Sequence, residues 1–372
     1  MKHLLGSLFL ILLVLAAGLV LVIYAQGNRL DKDGKLSGSG ILQIDTTPDK
    51  ARLLIDGKKR GETDTSLENL KPGKYTVKVE KDRYQTWEKV IEVKEGLVTP
   101  LRVTLFPTNP SLTSLTFEGV YSPSLSADNK KVVYGIQAGD KKGLWVLNLT
   151  DPQLFFSNAS PKQIVVDTAS LPFSSSTFVW SPDSDQILTT VKIPKAESSK
   201  SFLLQADQLN SNPEEVTTRV EEIKAAWQKE VSEQLSSLLK DLGEEAQTLS
   251  RDAKSVSFSK DETAVLIVKT DGSALVYDSK PSPVPNVKPQ FSTLPSADQY
   301  FWFQGNNKNL ILIEKNTISI LDTDGTNRVN IFTGDFDPNS VYSWAGGSKL
   351  VISINLNSKA NPLPNLYTID LD

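Results

Sequence analysis

Between Leu125 and Leu350 one short pattern returns five times, and no other feature of the chain restricts its fold as much. The clearest copy is Phe178-Val179-Trp180-Ser181-Pro182-Asp183-Ser184-Asp185-Gln186-Ile187-Leu188. An apolar or aromatic anchor ends one strand, a Ser-Pro-Asp turn follows, and an apolar strand resumes. Ser and Asp suit such a turn because their side chains bond the neighbouring backbone. Leu125 with Asp128-Asn129 and Val132 repeats the pattern, as does Phe258 with Asp261-Glu262 and Val265. Phe303 with Asn306-Asn307 and Leu310 is a fourth copy. Trp344 with Gly346-Gly347 and Leu350 is a fifth, with one residue fewer in its turn.

Each copy leads into a further strand with Asp or Asn near its end: Leu144 to Leu149, Phe202 to Ala206, Ala274 to Asp278, Thr317 to Asp322 and Asn365 to Asp370. A unit of about 40 to 45 residues with four strands has the period of a propeller blade. The five copies together resemble WD40-like (TolB-type) β-propellers. The expectation for residues 111–372 is therefore a propeller of about five blades. Its last copy holds three strands, so Ser111 to Phe117 is expected to supply the fourth and close the ring, since an open ladder would leave edge groups unpaired.

One interval is too long for a blade, and it contains an amphipathic helix expected over Pro213 to Leu242. Asn212 is placed to cap it, Pro213 suits its first position, Glu215 completes a capping box and Gly243 ends it. Val216, Val220, Ile223, Trp227, Val231, Leu235, Leu238 and Leu242 step by threes and fours into one apolar stripe. The insertion is taken as residues 213–249. Its stripe either packs on the body or docks a partner through Trp227, Val231, Leu235 and Leu238, and oligomerisation through it is open. Pro281 to Pro295 reads as an extended, proline-rich connector.

At the other end, Leu4 to Ala25 is apolar and carries no charge. About 20 such residues make a helix long enough to cross the hydrocarbon core of a bilayer. A removed signal peptide has a shorter apolar region and small residues before the cut, whereas Ile23 is bulky. An uncleaved transmembrane signal-anchor at 1–25 is the expectation, with Lys2 inside and the body extracytoplasmic. Residues 26–40, ending in Ser37-Gly38-Ser39-Gly40, read as a flexible linker. Within it Asp31-Lys32-Asp33-Gly34 lacks the later ligands of a calcium loop.

Residues 41–106 read as a compact β unit. Tyr75, Val77 and Val79 alternate with Lys74, Thr76, Lys78 and Glu80, and Leu101, Val103 and Leu105 with Arg102 and Thr104, the period of strands with one buried face. Asp56-Gly57 and Pro72-Gly73 mark turns. The stretches Thr47-Pro48-Asp49-Lys50-Ala51, Ile55-Asp56-Gly57-Lys58, Gly61-Glu62-Thr63, Leu70-Lys71-Pro72-Gly73-Lys74-Tyr75 and Tyr84 resemble the PEGA domain in the same order. Asp64 stands where that family has proline and Arg83 where it has glycine. The resemblance implies a small β-sandwich, mostly found in surface or envelope proteins of bacteria and archaea, acting as a structural or binding module without catalytic residues. Fold class overall is all-β: an N-terminal transmembrane helix, a PEGA-type sandwich and a propeller with one inserted helix.

Composition narrows the chemistry. The single histidine is His3 and cysteine is absent. No Ser-His-Asp or Cys-His nucleophile can be assembled, nor a Cys- or His-based zinc site in the body. The net charge of −4, with no basic block, gives nucleic acid nothing to bind. No glycine-rich phosphate loop or dinucleotide fingerprint occurs. Asp322-Thr323-Asp324-Gly325 reads as a hairpin turn. The carboxylates Asp128, Asp183 and Asp261 are weighed as channel-mouth residues, but are expected to serve their own turns. Trp180, Trp302 and Trp344 are weighed as sugar-stacking platforms but are expected to be packing. No catalytic, cofactor or metal residue is assigned. The functional expectation is a membrane-anchored extracytoplasmic binding or scaffold protein, non-enzymatic, that meets an envelope protein or a cell-wall glycan. The alternatives are a glycan or peptide hydrolase working through propeller carboxylates, and a partner-dependent sensor or assembly subunit.

Overall fold

A computed structural model describes residues 10, 12–18, 29–30, 36–150, 161–279, 290–356, 358 and 362–372. The chain divides into two compact units, Met1–Thr108 and Asn109–Asp372. Leu10 and residues 12–18 are helical. No helix among the described residues is long and apolar enough to cross a membrane. Most of the expected span lies outside the described residues, as does Asp31-Lys32-Asp33-Gly34. Within the stretch read as a linker, Arg29–Leu30 pairs with Leu36–Ser37.

In the first unit, strand Gly40–Thr47 runs antiparallel to Thr65–Leu70 and parallel to Val98–Thr104. A second sheet takes the order Lys58–Glu62, Arg52–Ile55, Gly73–Glu80, Trp87–Val93. The period-two pattern turns one face of each sheet inward. Leu42, Ile44 and Val103 from one sheet meet Leu53, Ile55, Val77, Val79, Trp87 and Val93 from the other in a single core. The Asp56-Gly57 hairpin has both residues at positive φ, 49° and 75°, and the Asp56 carboxylate accepts the Thr76 N–H at 2.9 Å. Arg83 adopts φ 70°, the left-handed region that favours the glycine it replaces. Asp64, at φ 63°, accepts the Thr46 N–H at 2.9 Å.

The second unit is built from five four-stranded antiparallel sheets in succession. Blade one comprises Tyr121–Leu125, Lys131–Ile136, Gly143–Asn148 and Lys162–Val166. Blade two comprises Thr177–Trp180, Gln186–Lys192, Ser199–Gln205 and Glu214–Glu215. Blade three comprises Ala253–Phe258, Ala264–Lys269, Ala274–Asp278 and Gln290–Thr293. Blade four comprises Gln299–Trp302, Asn309–Glu314, Thr317–Asp322 and Val329–Thr333. Blade five comprises Val341–Ser343, Lys349–Ile354 and Asn365–Asp370, and takes its fourth strand from Leu112–Ser114. That strand pairs in register with the third, Leu112 opposite Ile369 and Ser114 opposite Tyr367, as the three-stranded last copy requires.

Middle strands buried on both faces read as continuous apolar runs, such as Asn309–Glu314 with its Leu310, Ile311, Leu312 and Ile313. One face of each packs on the next blade. Val133, Leu144 and Val146 of blade one meet Ile187, Phe202 and Leu204 of blade two. Leu266 and Val276 of blade three meet Trp302, Leu310 and Leu312 of blade four. Blade five closes on blade one through Tyr342, Trp344 and Val351 against Val132, Tyr134 and Leu147.

Two expectations are corrected. The helix spans Val220–Leu242, not 213–242. Glu214–Glu215 instead pairs with Phe202 and Leu203 as the outer strand of blade two, and Val216 is buried. The capping-box signal is local, and completing a ladder outweighs it. A second helix, Glu244–Ser250, follows. The proline-rich connector is also shorter than expected, because Gln290–Thr293 pairs with Leu275–Asp278; residues 281–289 lie outside the described residues. Asp322 to Gly325 is a hairpin turn, with the Gly325 N–H donating to the Asp322 carbonyl at 2.9 Å.

Candidate functional site

The turns between first and second strands share one construction. The Ser126, Ser181 and Ser259 hydroxyls donate to Asp128, Asp183 and Asp261 at 2.6, 2.5 and 2.8 Å. Each Ser Oγ also accepts a backbone N–H five residues on, from Lys131, Gln186 and Ala264. Asn129, Ser184 and Glu262 take the positive φ that tightens the turn. The Ser181 hydroxyl, helped by the Asp185 N–H, holds the Asp183 carboxyl below the usual range. These carboxylates serve their own turns. Among the described residues, no group of three or more His, Cys, Asp or Glu is placed to hold a metal ion.

Backbone bonding corrects the alignment of two copies. The N–H of Ser126, Ser181 and Ser259 donates across its turn to Lys131, Gln186 and Ala264. Phe303 and Trp344 make the same bond, to Asn309 and Lys349. These two aromatics therefore stand at the serine position, and the true anchors of blades four and five are Trp302 and Ser343. The Trp180 and Trp302 indoles then do identical work. Each Nε1 donates to the innermost strand of the blade before it, at Ser124 O (3.2 Å) and Ser257 O (3.0 Å). Trp344 turns to the opposite face, into the junction with blade one. Its Nε1 is buried with no partner among the described residues. Trp302 and Trp344 are buried and Trp180 half-buried, so none is laid open for stacking.

The innermost strands converge on a cavity of about 650 Å³, within the range of small-ligand sites. Blade one contributes Leu125 and Ala127 to Lys130; blade three contributes Ser257 to Lys260 and Glu262. Tyr300 to Trp302 and Gln304 come from blade four, with Val341 to Ser343 from blade five. Of the three turn carboxylates, Asp128 alone is in this wall. Tyr300 and Trp302 turn into the blade, and the alternation leaves Phe301 half-exposed between them. The side chains of Asn129, Gln304, Ser257 and Glu262 have no hydrogen-bond partner among the described residues. Lys130 lies 3.7 Å from Asp128, and Lys260 reaches the Ala345 carbonyl at 3.3 Å. Sequence reading passed over Phe301 and Gln304. The available signal was strand alternation beside the anchor, hidden by the one-residue misalignment of blade four.

The helix is the second candidate surface. Glu221 and Glu222 in its first turn and Lys240 in its last suit its dipole. Its C-terminal end is seated: Leu242 and Ala246 join Val265, Ile267, Leu275 and Tyr277 of blade three, with Leu239 and Leu249 alongside. Trp227, Leu235 and Leu238 are half-buried and Val231 is 49% exposed. None of the four joins the cluster that seats the helix.

Against known families, residues 39–109 match the model described as the PEGA domain. This unit is a PEGA domain. Its two sheets and their turns hold five non-glycine residues at positive φ, Asp64 and Arg83 among them. No curated protein matches the chain in sequence. Among solved structures, the chain is similar to an oligogalacturonate lyase from Vibrio parahaemolyticus at 9% identity and TM-score 0.26, covering 90% of each chain. It is similar to an oligogalacturonate lyase in complex with manganese at 8% identity and TM-score 0.28, covering 80% of this chain and 83% of that one. The β-propeller domain of Cps50 (Swd1) from Myceliophthora thermophila matches at 8% identity and TM-score 0.23, with 80% of each chain covered.

Proposed function

We propose that this chain is a non-enzymatic binding protein of the cell envelope. Its apolar residues 4–25 hold it in the membrane, and its PEGA domain and propeller stand outside the cytoplasm. The observation that carries this reading is the cavity at the innermost strands. Its wall offers unspent amide and hydroxyl groups, while Asp128 is occupied by its own turn. Such a wall suits holding a ligand. The middle of the helix, where Val231 is exposed and Trp227, Leu235 and Leu238 are half-buried, is the surface offered to an envelope protein. Five acidic against three basic residues over Val220–Leu242 disfavour an anionic lipid surface as its occupant.

The test uses cells making the full chain. The body should be digested by protease added to intact cells, and the chain should stay in the membrane fraction after alkaline washing. Envelope material retained by the purified chain should be lost with Phe301→Ala or with Trp227→Asp. Protection of the body until lysis, or retention unchanged by both substitutions, would overturn the reading.

A further inference from the structure

We infer that the cavity takes the end of an uncharged, hydroxyl-rich oligosaccharide, an inference that rests on the binding role proposed above. The mouth carries two acidic and two basic residues, Asp128 and Glu262 against Lys130 and Lys260, with Lys130 3.7 Å from Asp128. An ionic ligand would find no net field to favour it. An apolar ligand would cover Asn129, Gln304 and Ser257, whose side chains have no partner among the described residues. Buried donors and acceptors without partners are costly. The ligand must therefore be neutral and bring hydroxyl groups to those side chains.

A carboxamide offers an acceptor and two donors from one planar group, which matches adjacent hydroxyls on a sugar ring. Two such groups, Asn129 of blade one and Gln304 of blade four, stand in the same wall. Gln304 is fixed in position because its N–H donates to Ser343 Oγ at 3.0 Å. Phe301 supplies the apolar element. It is the one half-exposed aromatic of its strand, flanked by Tyr300 and Trp302, which turn inward. A sugar has a polar rim and a C–H face, and this wall presents partners for both. The cavity of about 650 Å³ accommodates a few sugar residues and leaves the remainder of a chain in solvent.

The experiment titrates the full chain in detergent with three probes by calorimetry: chitotetraose, cellotetraose and a neutral alanine tetrapeptide. Saturable binding of at least one sugar, and not of the peptide, is expected. Phe301→Ala should weaken it at least about ten-fold, while Phe301→Tyr keeps it. Gln304→Ala should weaken it too, with the melting temperature of each variant showing that the fold is intact. Peptide binding in preference to both sugars, or sugar binding indifferent to Phe301→Ala and Gln304→Ala, overturns the inference. Should neither sugar bind while Phe301→Ala still releases envelope material, the oligosaccharide fails and the binding role stands. Should neither sugar bind and envelope retention also ignore the substitution, both fail.

Discussion

Gly347 and Gly305 meet backbone to backbone where the turns of blades five and four touch: a Cβ on Gly347 would stand 2.3 Å from the Gly305 Cα. Gly347 also adopts φ 78°. The Phe303 ring fills the space beside both glycines, and a Cβ on Gly305 would lie 2.6 Å from it. Phe303 replaces the turn serine of blades one to three, so the aromatic and the two glycines form one packing unit. Gly347→Ala should cost about 2 to 4 kcal/mol, adding left-handed strain to overpacking. Urea unfolding of the full chain measures it.

Ser181 is buried and ties its turn together by one donated and one accepted bond. Ser181→Ala should cost about 1 to 2 kcal/mol. It should also let the Asp183 pKa rise toward the ordinary carboxylate value, because that hydroxyl is the largest cause of its depression. A depressed carboxyl stabilises the fold above its unfolded pKa, and the benefit disappears as pH falls through the folded value. The variant should therefore lose stability less steeply on acidification. Carbon-detected NMR titration of Asp183 and acid unfolding curves read both effects.

The helix should divide sharply along its length. Leu242→Ala removes a side chain from the cluster on blade three and should cost about 2 to 3 kcal/mol. Val231→Ala, 49% exposed in the native state, should change stability by about 0.5 kcal/mol or less. Equal losses at both positions would mean the middle of the helix is core.

Alkaline pH should open the junction of blades five and one. Burial raises the Tyr342 phenol to about 12, and its hydroxyl donates to the Pro123 carbonyl at 3.0 Å. An unfolded tyrosine titrates near about 10. The contribution is thus complete below pH about 10 and is lost as pH rises through 12, about 2 to 3 kcal/mol in all. Tyr342→Phe should flatten this alkaline limb. Tyr134, pushed up by burial in the same cluster, leaves part of it. Ultraviolet difference titration with parallel melts tests the window.

How much of this was legible depended on whether the deciding interaction was local. Ser181 and Asp183 announce their turn because the bonds lie within five residues. The closing strand was legible because a ladder must be paired, whatever its side chains. Blades four and five were read one residue out of step because Phe303 and Trp344 resemble anchors while occupying the serine position; only cross-strand pairing distinguishes the two. The helix start was misread because Pro213 and Glu215 carry a capping signal that a distant strand, Ser199–Gln205, overrides. The cavity depended on four blades converging, which no stretch of sequence displays.

Leu112–Ser114 pairs with a strand made some 250 residues later on the ribosome. Blade five therefore cannot be finished during most of synthesis, and the early strand must wait with its hydrogen-bonding groups solvated while four blades form. Closure is a late, long-range step that slows folding. A nascent chain halted before Asn365 would carry an unpaired edge open to the wrong neighbour.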